Sequence, residues 1–489
     1  MGVYRVIIIG SGFGGQCAAV NLRRIGIEDF LILERRDFMG GTWCQNSYPG
    51  AAVDVQSPLY SLSFEPYDWS RMFAEQAELE HYTGHVIDKH RLRDRTRIGT
   101  DVTRLEWNEA EGLWDVHARD RSGDAIRLQA SSIVNATGPL STPVIPDFPG
   151  RDDFKGRSFH TNSWDHGYDL NGKRVAVIGS GASAAQIIPA IAPRCGALHV
   201  FQRTPHWVLP RPDRTFTPWQ RRLLRNKAVY RGLRAAIYLG LETRVIGFKY
   251  SRTMLKLVAQ RKALKHIRAQ IRDPALRRAV TPDFTIGCKR VILSNTLYPA
   301  YCRDNVTLHP RDQGIAAITE TGITTISGQR IDLDLVVYST GYDATDGVIS
   351  YPVIGRRGRR LADVWQPYPR AYLGTAIPGF PNFFVVTGPN TGIGHTSAIF
   401  VIEAQMSYIM RALETLRDRR VGTIEPTVRA EADYTAMIHS EMERTVWKSG
   451  GCQSWYKSAD GHVVAMFPGF SFTFRRLARD FKQRDHVLG

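Results

Sequence analysis

The chain has 489 residues, 43% hydrophobic and 10% aromatic, enough for two or three domains with full cores. Its net charge is +17, its six cysteines include no CxxC pair, and no apolar run is long enough to span a bilayer. These features indicate neither a disulfide framework nor a zinc or other metal site. With a first strand from about residue 3 that leaves no room for a signal peptide, they predict a reducing, cytoplasmic setting.

The apolar run at residues 6–9 reads as a buried parallel strand, and GSGFGG follows it at residues 10–15. In that pattern Gly10 makes the tight turn, Gly12 lets backbone approach a pyrophosphate, and Gly15 lets the next helix pack on the sheet. The helix opens at Phe13, where free amides and a positive dipole end face phosphate. A second strand, FLILE, ends at Glu34, an acid placed to accept from ribose hydroxyls. Strand, glycines, helix and acid in this order predict a dinucleotide site.

GGTWCQNSYPG follows at residues 40–50, with Gly41, Thr42 and Trp43 in its turn. Dithiol flavoproteins carry two cysteines after such a turn; here Cys44 is single, so a redox disulfide beside a flavin is not indicated. Val102 lies on a strand-like segment, TDVTRLEW, and SIVNATGPLSTP closes the first unit as an apolar strand ended by Gly138 and prolines.

RVAVIGSGASA, residues 174–184, repeats the fingerprint. Gly179 and Gly181 take the first two glycine roles, Ala182 and Ser183 open the helix, and Ala184 is the tolerated small third residue. Its second strand ends in Arg203 and Thr204 where the first copy has Glu34. A guanidinium and a hydroxyl suit a 2′-phosphate, which a carboxylate would repel. The first site is therefore expected to hold FAD and the second NADPH, with Arg203 as a solvated surface charge the alternative.

Basic runs such as QRRLLRNK and AQRKALKHIRAQIR follow between residues 211 and 290. They read as a solvated helical insertion; a membrane-surface helix and a nucleic-acid patch are the alternatives. Nothing resembles a nucleic-acid module, while AAIYLGL with flanking arginines leaves peripheral membrane contact open. IGCKRVILSN then offers Lys289 and Arg290. DLVVYSTGYD, residues 334–343, is expected to return to the first domain, and PNFFVVTGPNTGIGHTS to add a strand and a glycine-rich turn before a helix. His395 in that turn lines the site or caps the turn; the second role is favoured.

The predicted fold is α/β, with two Rossmann-like dinucleotide-binding domains and a helical insertion in the second. The boundaries are 1–140 and 336–489 for the FAD domain and 141–335 for the NADPH domain, with the insertion at about 211–285. Two crossings between domains make a hinge suited to relative motion. Two nucleotides imply hydride transfer from NADPH to flavin, and without a redox disulfide O2 is the remaining acceptor. Such a site must exclude water, and a fixed cation beside the flavin would stabilise developing negative charge. Arg290 keeps its charge at any working pH.

Two motifs then carry a family resemblance. FKGRSFHTNSWD, residues 154–165, presents Phe154, Gly156, His160, Trp164 and Asp165; GGTWCQNSYPGAAVD presents Gly41, Trp43, Tyr48, Pro49, Gly50 and Asp54. Both match fingerprints of the type I, or class B, flavin-dependent Baeyer–Villiger monooxygenases, which the chain resembles over nearly its whole length. The resemblance implies an oxidoreductase that uses FAD, NADPH and O2 to turn a ketone into an ester or lactone through a flavin C4a-peroxide. It implies that Arg290 stabilises that peroxide and the ketone adduct, and that Asp54 orients or tunes Arg290. Lys289 joins Arg203 and Thr204 at the NADPH phosphate, Trp43 and Tyr60 line the flavin, and Val102 contacts it through backbone. Trp455, in CQSWY, contacts the nicotinamide nucleotide. His160 couples the connector to domain movement or is a structural linker histidine. Gln56 stands where relatives often carry proline, which leaves the shape of that loop open.

The expected partners are a small-molecule ketone and O2, with no nucleic acid, and the expected state is a monomer. A related flavin monooxygenase acting on sulfides, amines or long alkyl chains is the alternative activity. A basic surface-binding protein that keeps its cofactors for redox sensing is the non-enzymatic one.

Overall fold

The computed structural model describes residues 2–343, 349–458 and 460–489. The strand Val3–Ile9 lies between Phe30–Leu33 and Ala125–Asn135 and is parallel to both, with Val6 opposite Phe30 and Ile9 opposite Leu33. Val6, Ile7 and Ile8 are fully buried, as a strand covered on both faces requires. The helix Phe13–Arg24 covers one face. Strands Asp101–Asn108 and Leu113–Arg119 extend the sheet as an antiparallel meander, and Phe383–Val385 joins Ala125–Asn135 in parallel.

A second, five-stranded parallel sheet runs in the order Val306–His309, Ala197–Phe201, Arg174–Ile178, Leu335–Tyr338, Arg157–His160. The helix Ala182–Ile191 packs into its core through Ala184, Ile187, Ile188 and Ile191.

Two expectations are corrected here. Leu335–Tyr338 was expected to return to the first domain; it is an inner strand of the second sheet, so the second domain extends beyond residue 335. All four of its residues are buried. A continuous apolar strand shows only that both faces are covered and does not say by which sheet. The crossing follows it, where Val144 donates to the Gly341 carbonyl at 3.0 Å and Asp343 to the Thr142 carbonyl at 3.0 Å.

The cysteines are the second correction. Cys288 and Cys452 form a disulfide across 164 residues, while Cys17, Cys44, Cys195 and Cys302 are free. Such a separation leaves no spacing signal in the sequence.

The basic insertion is helical, as expected, but it is not solvated all round. Its helix Lys227–Glu242 is capped by Asn226 and lies on the first domain. Tyr230 is buried there and accepts from Trp69 Nε1 at 3.2 Å. Arg234 donates to the Pro58 carbonyl at 2.7 Å, and Tyr238 stacks on Phe400 at 4.8 Å.

The motif at residues 154–165 builds the edge of the second sheet. A Cβ on Gly156 would sit 2.4 Å from the Phe154 ring and 2.9 Å from the Asp334 carbonyl oxygen, so only glycine fits. Trp164 meets Phe159 edge-on at 5.0 Å, and Asp165 pairs with Arg157 at 2.8 Å. His160 is buried, with Nδ1 accepting from the Asn162 amide at 3.1 Å. Burial pushes its pKa down to about 4, with a backbone interaction at Gly341 opposing. A neutral imidazole packed at the crossing fits the structural reading of this residue.

Candidate active site

The first fingerprint forms a cradle that larger residues would fill. Gly10 has φ +99°, and a Cβ there would lie 2.6 Å from the Ala136 carbonyl oxygen; one on Gly15 would lie 2.0 Å from the Gly10 oxygen. Gly12 precedes the helix Phe13–Arg24, whose opening amides lack intrahelical partners and suit an anion. Glu34 is held against this loop: one carboxylate oxygen accepts from the Ser11 amide at 2.9 Å and the Ser11 hydroxyl at 2.7 Å, the other from the Arg36 amide at 2.9 Å.

The turn at residues 40–45 lies on that loop. Gly41 has φ +67°, and a Cβ there would lie 2.7 Å from Gly12 Cα. Thr42 and Trp43 begin the short helix Thr42–Gln45. Trp43 Nε1 donates to the Tyr60 hydroxyl at 3.1 Å, and Phe13 meets Tyr60 edge-on at 6.0 Å. Gln56 opens a helical turn in which its carbonyl accepts from the Leu59 and Tyr60 amides, each at 2.9 Å, so glutamine there still places Tyr60. Val102 is buried two residues after Thr100, whose amide donates to the Glu34 carbonyl at 2.9 Å. Contacts thus link Glu34 to Ser11 and Thr100, Gly41 to Gly12, and Trp43 and Phe13 to Tyr60, all around the Gly10–Gly12 turn.

The second fingerprint differs in one useful respect. Gly179 has φ +129° and is closed in by the Ser339 carbonyl oxygen, 2.2 Å from an added Cβ, whereas a Cβ on Gly181 would meet nothing within 4 Å. Open space therefore lies before the Ala182–Ser183 helix end. Ser180 Oγ donates to the Thr204 carbonyl at 2.7 Å and closes the loop beside Arg203. Burial and then the charge of Arg203 push the Lys289 pKa down, with Asp283 opposing. Two cations held together beside an open helix N-terminus suit an anion with more charge than a pyrophosphate alone.

Between the two cradles lies Arg290. Its Nε and Nη2 each donate to a different oxygen of Asp54 at 2.6 Å, a bidentate pair. Asp54 raises the guanidinium pKa above its ordinary value, burial opposes this, and Tyr456 and Tyr60 add to it. The side chain is 40% exposed, so the guanidinium remains reachable beside its carboxylate partner. Burial pushes both the Tyr60 and Tyr456 phenols up to about 12, so both are neutral at physiological pH.

The halves meet directly here. Tyr48 donates to Ser183 Oγ at 3.2 Å and Gln186 Oε1 at 3.1 Å, and Gln186 Nε2 returns to the Ala52 carbonyl at 2.8 Å. Gly50 is required at this contact, because a Cβ would lie 2.5 Å from the Gln186 carbonyl oxygen.

Trp455 is 44% exposed and lies at 4.6 Å from Tyr456. The Cys288–Cys452 bond ties their loop to the turn carrying Lys289 and Arg290.

Sequence reasoning missed Tyr456 and His206. The latter is pushed down to about 4 by burial and by Lys289, with a backbone hydrogen bond at Arg290 opposing. His206 lies in no motif, and Tyr456 closes CQSWY, where the reading stopped at Trp455; coupling to Arg290 and Lys289 is what marks the two residues. His395 is buried, with Nε2 3.0 Å from Glu242 Oε1, and it links the insertion to the glycine-rich turn before the helix Ala398–Arg419.

Residues 4–237 match the family described as pyridine nucleotide-disulphide oxidoreductase. A Baeyer–Villiger monooxygenase of Pseudomonas aeruginosa is 44% identical over 480 residues, which cover 98% of this chain and 90% of that protein. The chain belongs to the Baeyer–Villiger monooxygenases. A second Baeyer–Villiger monooxygenase, from Streptomyces coelicolor, is 43% identical over 97% of this chain and 91% of its own length. The solved structure of OTEMO in complex with FAD and NADP shares the fold with a TM-score of 0.89 at 27% identity, covering 99% of both chains. As a Baeyer–Villiger monooxygenase the chain is an FAD-containing, NADPH-dependent oxidoreductase, and both cradles fit these cofactors.

Proposed function

We propose that this monooxygenase inserts one oxygen atom beside the carbonyl of a small-molecule ketone and that Arg290 is its catalytic cation. The observation that carries the reading is the Arg290–Asp54 pair at the meeting of the two nucleotide cradles. FAD, when bound, supplies the activation of O2 and NADPH the reducing equivalents.

The chain's own residues do the rest. Gly10, Gly12, Phe13, Gly15, Glu34, Gly41, Thr42, Trp43, Asp54, Tyr60 and Val102 form the FAD cradle. Gly179, Gly181, Ala182 and Ser183 receive the NADPH pyrophosphate, Arg203, Thr204 and Lys289 its 2′-phosphate, and Trp455 its nicotinamide end. Asp54 occupies Arg290 Nε and Nη2 and leaves Nη1 to donate to the substrate oxygen as negative charge develops there. Tyr60 and Tyr456 hold their protons and so add no competing negative charge. Tyr48 and Gln186 keep the two cradles in register.

A cytoplasmic monomer completes the reading. Among the described residues no helix is long and apolar enough to cross a membrane, and four of the six cysteines are free. The one disulfide is buried, and burial limits attack by thiolates.

The test is a panel of linear, cyclic and aromatic ketones beside a thioether, with NADPH consumption and product mass recorded together. Ketone products heavier by one oxygen atom support the reading. Oxygenation of the thioether with every ketone untouched would refute it.

A further inference from the structure

The outer face of the basic insertion and the helix Ser471–Arg479 form a surface that the cofactor cleft does not use. Ile246, Tyr250, Met254, Leu257 and Val258 are all exposed there, Val258 by 60% and Tyr250 by 59%. Their spacing places them along one side of a helical segment bent at Ser251. The opposite side already has its core contacts: Leu255 is buried, Phe248 stacks on Trp447 at 5.9 Å, and Ala263 is fully buried. The exposed side is therefore not a core face lacking a neighbour within the fold.

The patch continues onto the C-terminal helix. Tyr250 stacks on Phe470 at 6.3 Å, Phe470 on Phe472 at 4.8 Å, and Phe472 is 51% exposed. Tyr238 Oη lies 3.0 Å from Ser471 Oγ, which brings the exposed Leu239 to the same region.

Cations surround these apolar groups. Between residues 211 and 285 the sequence holds 19 Lys and Arg against 4 Asp and Glu, so this stretch carries +15 of the chain's +17. Arg252, Lys256, Arg261, Lys262, Lys265, Arg475 and Arg476 are exposed, and none has a carboxylate within 4.0 Å among the described residues.

We propose that this face docks on an anionic lipid bilayer. Exposed Leu, Val, Met, Tyr and Phe ringed by Arg and Lys match an acyl boundary beneath anionic headgroups. A nucleic acid would engage the cations and leave the aliphatic side chains in water. A second copy would set one such positive face against another, which charge repulsion opposes. The segment also packs on the turn that leads to Lys289 and Arg290: Phe248, two residues before Tyr250, lies where a Cβ on Gly287 would come within 2.4 Å of its ring. The proposal goes beyond the ketone chemistry and does not depend on it.

The experiment is flotation of the FAD-loaded full-length protein with phosphatidylcholine vesicles, with and without phosphatidylglycerol. The expected result is co-flotation only with the anionic vesicles, abolished in about 1 M salt, where the Debye length falls to about 3 Å. Leu257→Ser with Val258→Ser, and separately Lys256→Glu with Lys262→Glu, are each expected to lower partitioning about tenfold or more. Flavin absorbance and NADPH oxidation without ketone, unchanged in both variants, show that they fold. No co-flotation of the wild type, equal binding to neutral vesicles, or binding unaffected by either pair of substitutions overturns the proposal. So does a wild-type dimer in sedimentation that Leu257→Ser with Val258→Ser dissociates, because the face would then pair copies of the chain.

Discussion

Cys288 is bonded to Cys452 across 164 residues, which fixes the turn bearing Lys289 and Arg290 against the loop bearing Trp455 and Tyr456. The contact is close: a Cβ on Gly450 would lie 2.7 Å from Cys288 Cβ, and the Thr285 amide donates to the Gly450 carbonyl at 3.0 Å. Replacing both cysteines by serine is expected to lower stability by about 2–4 kcal/mol. Because the freed loop carries Trp455 and Tyr456, KM for NADPH is also expected to rise while the bound-flavin spectrum stays the same. An unchanged melting midpoint with an unchanged KM would show that the bond holds nothing in place.

Asp54→Asn keeps the shape and removes the charge opposite Arg290. Ester formation is expected to fall by about ten- to a hundredfold, because an orienting partner is lost while the cation remains. FAD content is expected to stay near wild type. Steady-state kinetics with a substrate ketone and absorbance of the purified variant decide this; loss of flavin instead would place Asp54 in cofactor binding alone.

Arg203→Ala and Lys289→Ala probe the second cradle. Both are expected to raise KM for NADPH by about ten- to a hundredfold, as loss of one charge-assisted phosphate contact predicts, and to leave NADH use nearly unchanged. Equal losses with both nucleotides would remove the 2′-phosphate assignment.

The two glycine fingerprints were legible because a tight turn and a close phosphate approach demand particular residues at fixed spacing. Gly10, Gly179 and Gly156 each lie where an added Cβ would meet backbone oxygen or a ring. The pairing of Asp54 with Arg290 followed from family fingerprints, not from any local rule, since 236 residues separate them. Leu335–Tyr338 was assigned to the wrong sheet because an apolar strand carries no record of its partner. The disulfide and Tyr456 were invisible because their neighbours are distant in sequence. The insertion's charge was plain in the sequence, but its seat on Ser61, Trp69 and Phe400 was not.

Acid should destabilise the fold in a defined window. His160, His206 and His309 are each pushed from 6.5 down to about 4, in every case chiefly by burial. They are neutral in the folded state while the unfolded chain takes up protons below about 6.5. Their contribution is therefore full above pH 6.5 and is lost as pH falls toward 4. Thermal melts from pH 7.5 to 4.5 should show the midpoint falling mainly below 6.5, less steeply in His309→Phe; a flat profile would contradict the burial of these rings.

The most direct measurement is on Arg290→Ala, following NADPH oxidation, hydrogen peroxide and ester together with a ketone that the wild type converts. The account predicts that NADPH still reduces the flavin, that ester falls by at least about a hundredfold, and that peroxide takes its place. Ester formation near the wild-type rate would contradict the catalytic role assigned to this guanidinium.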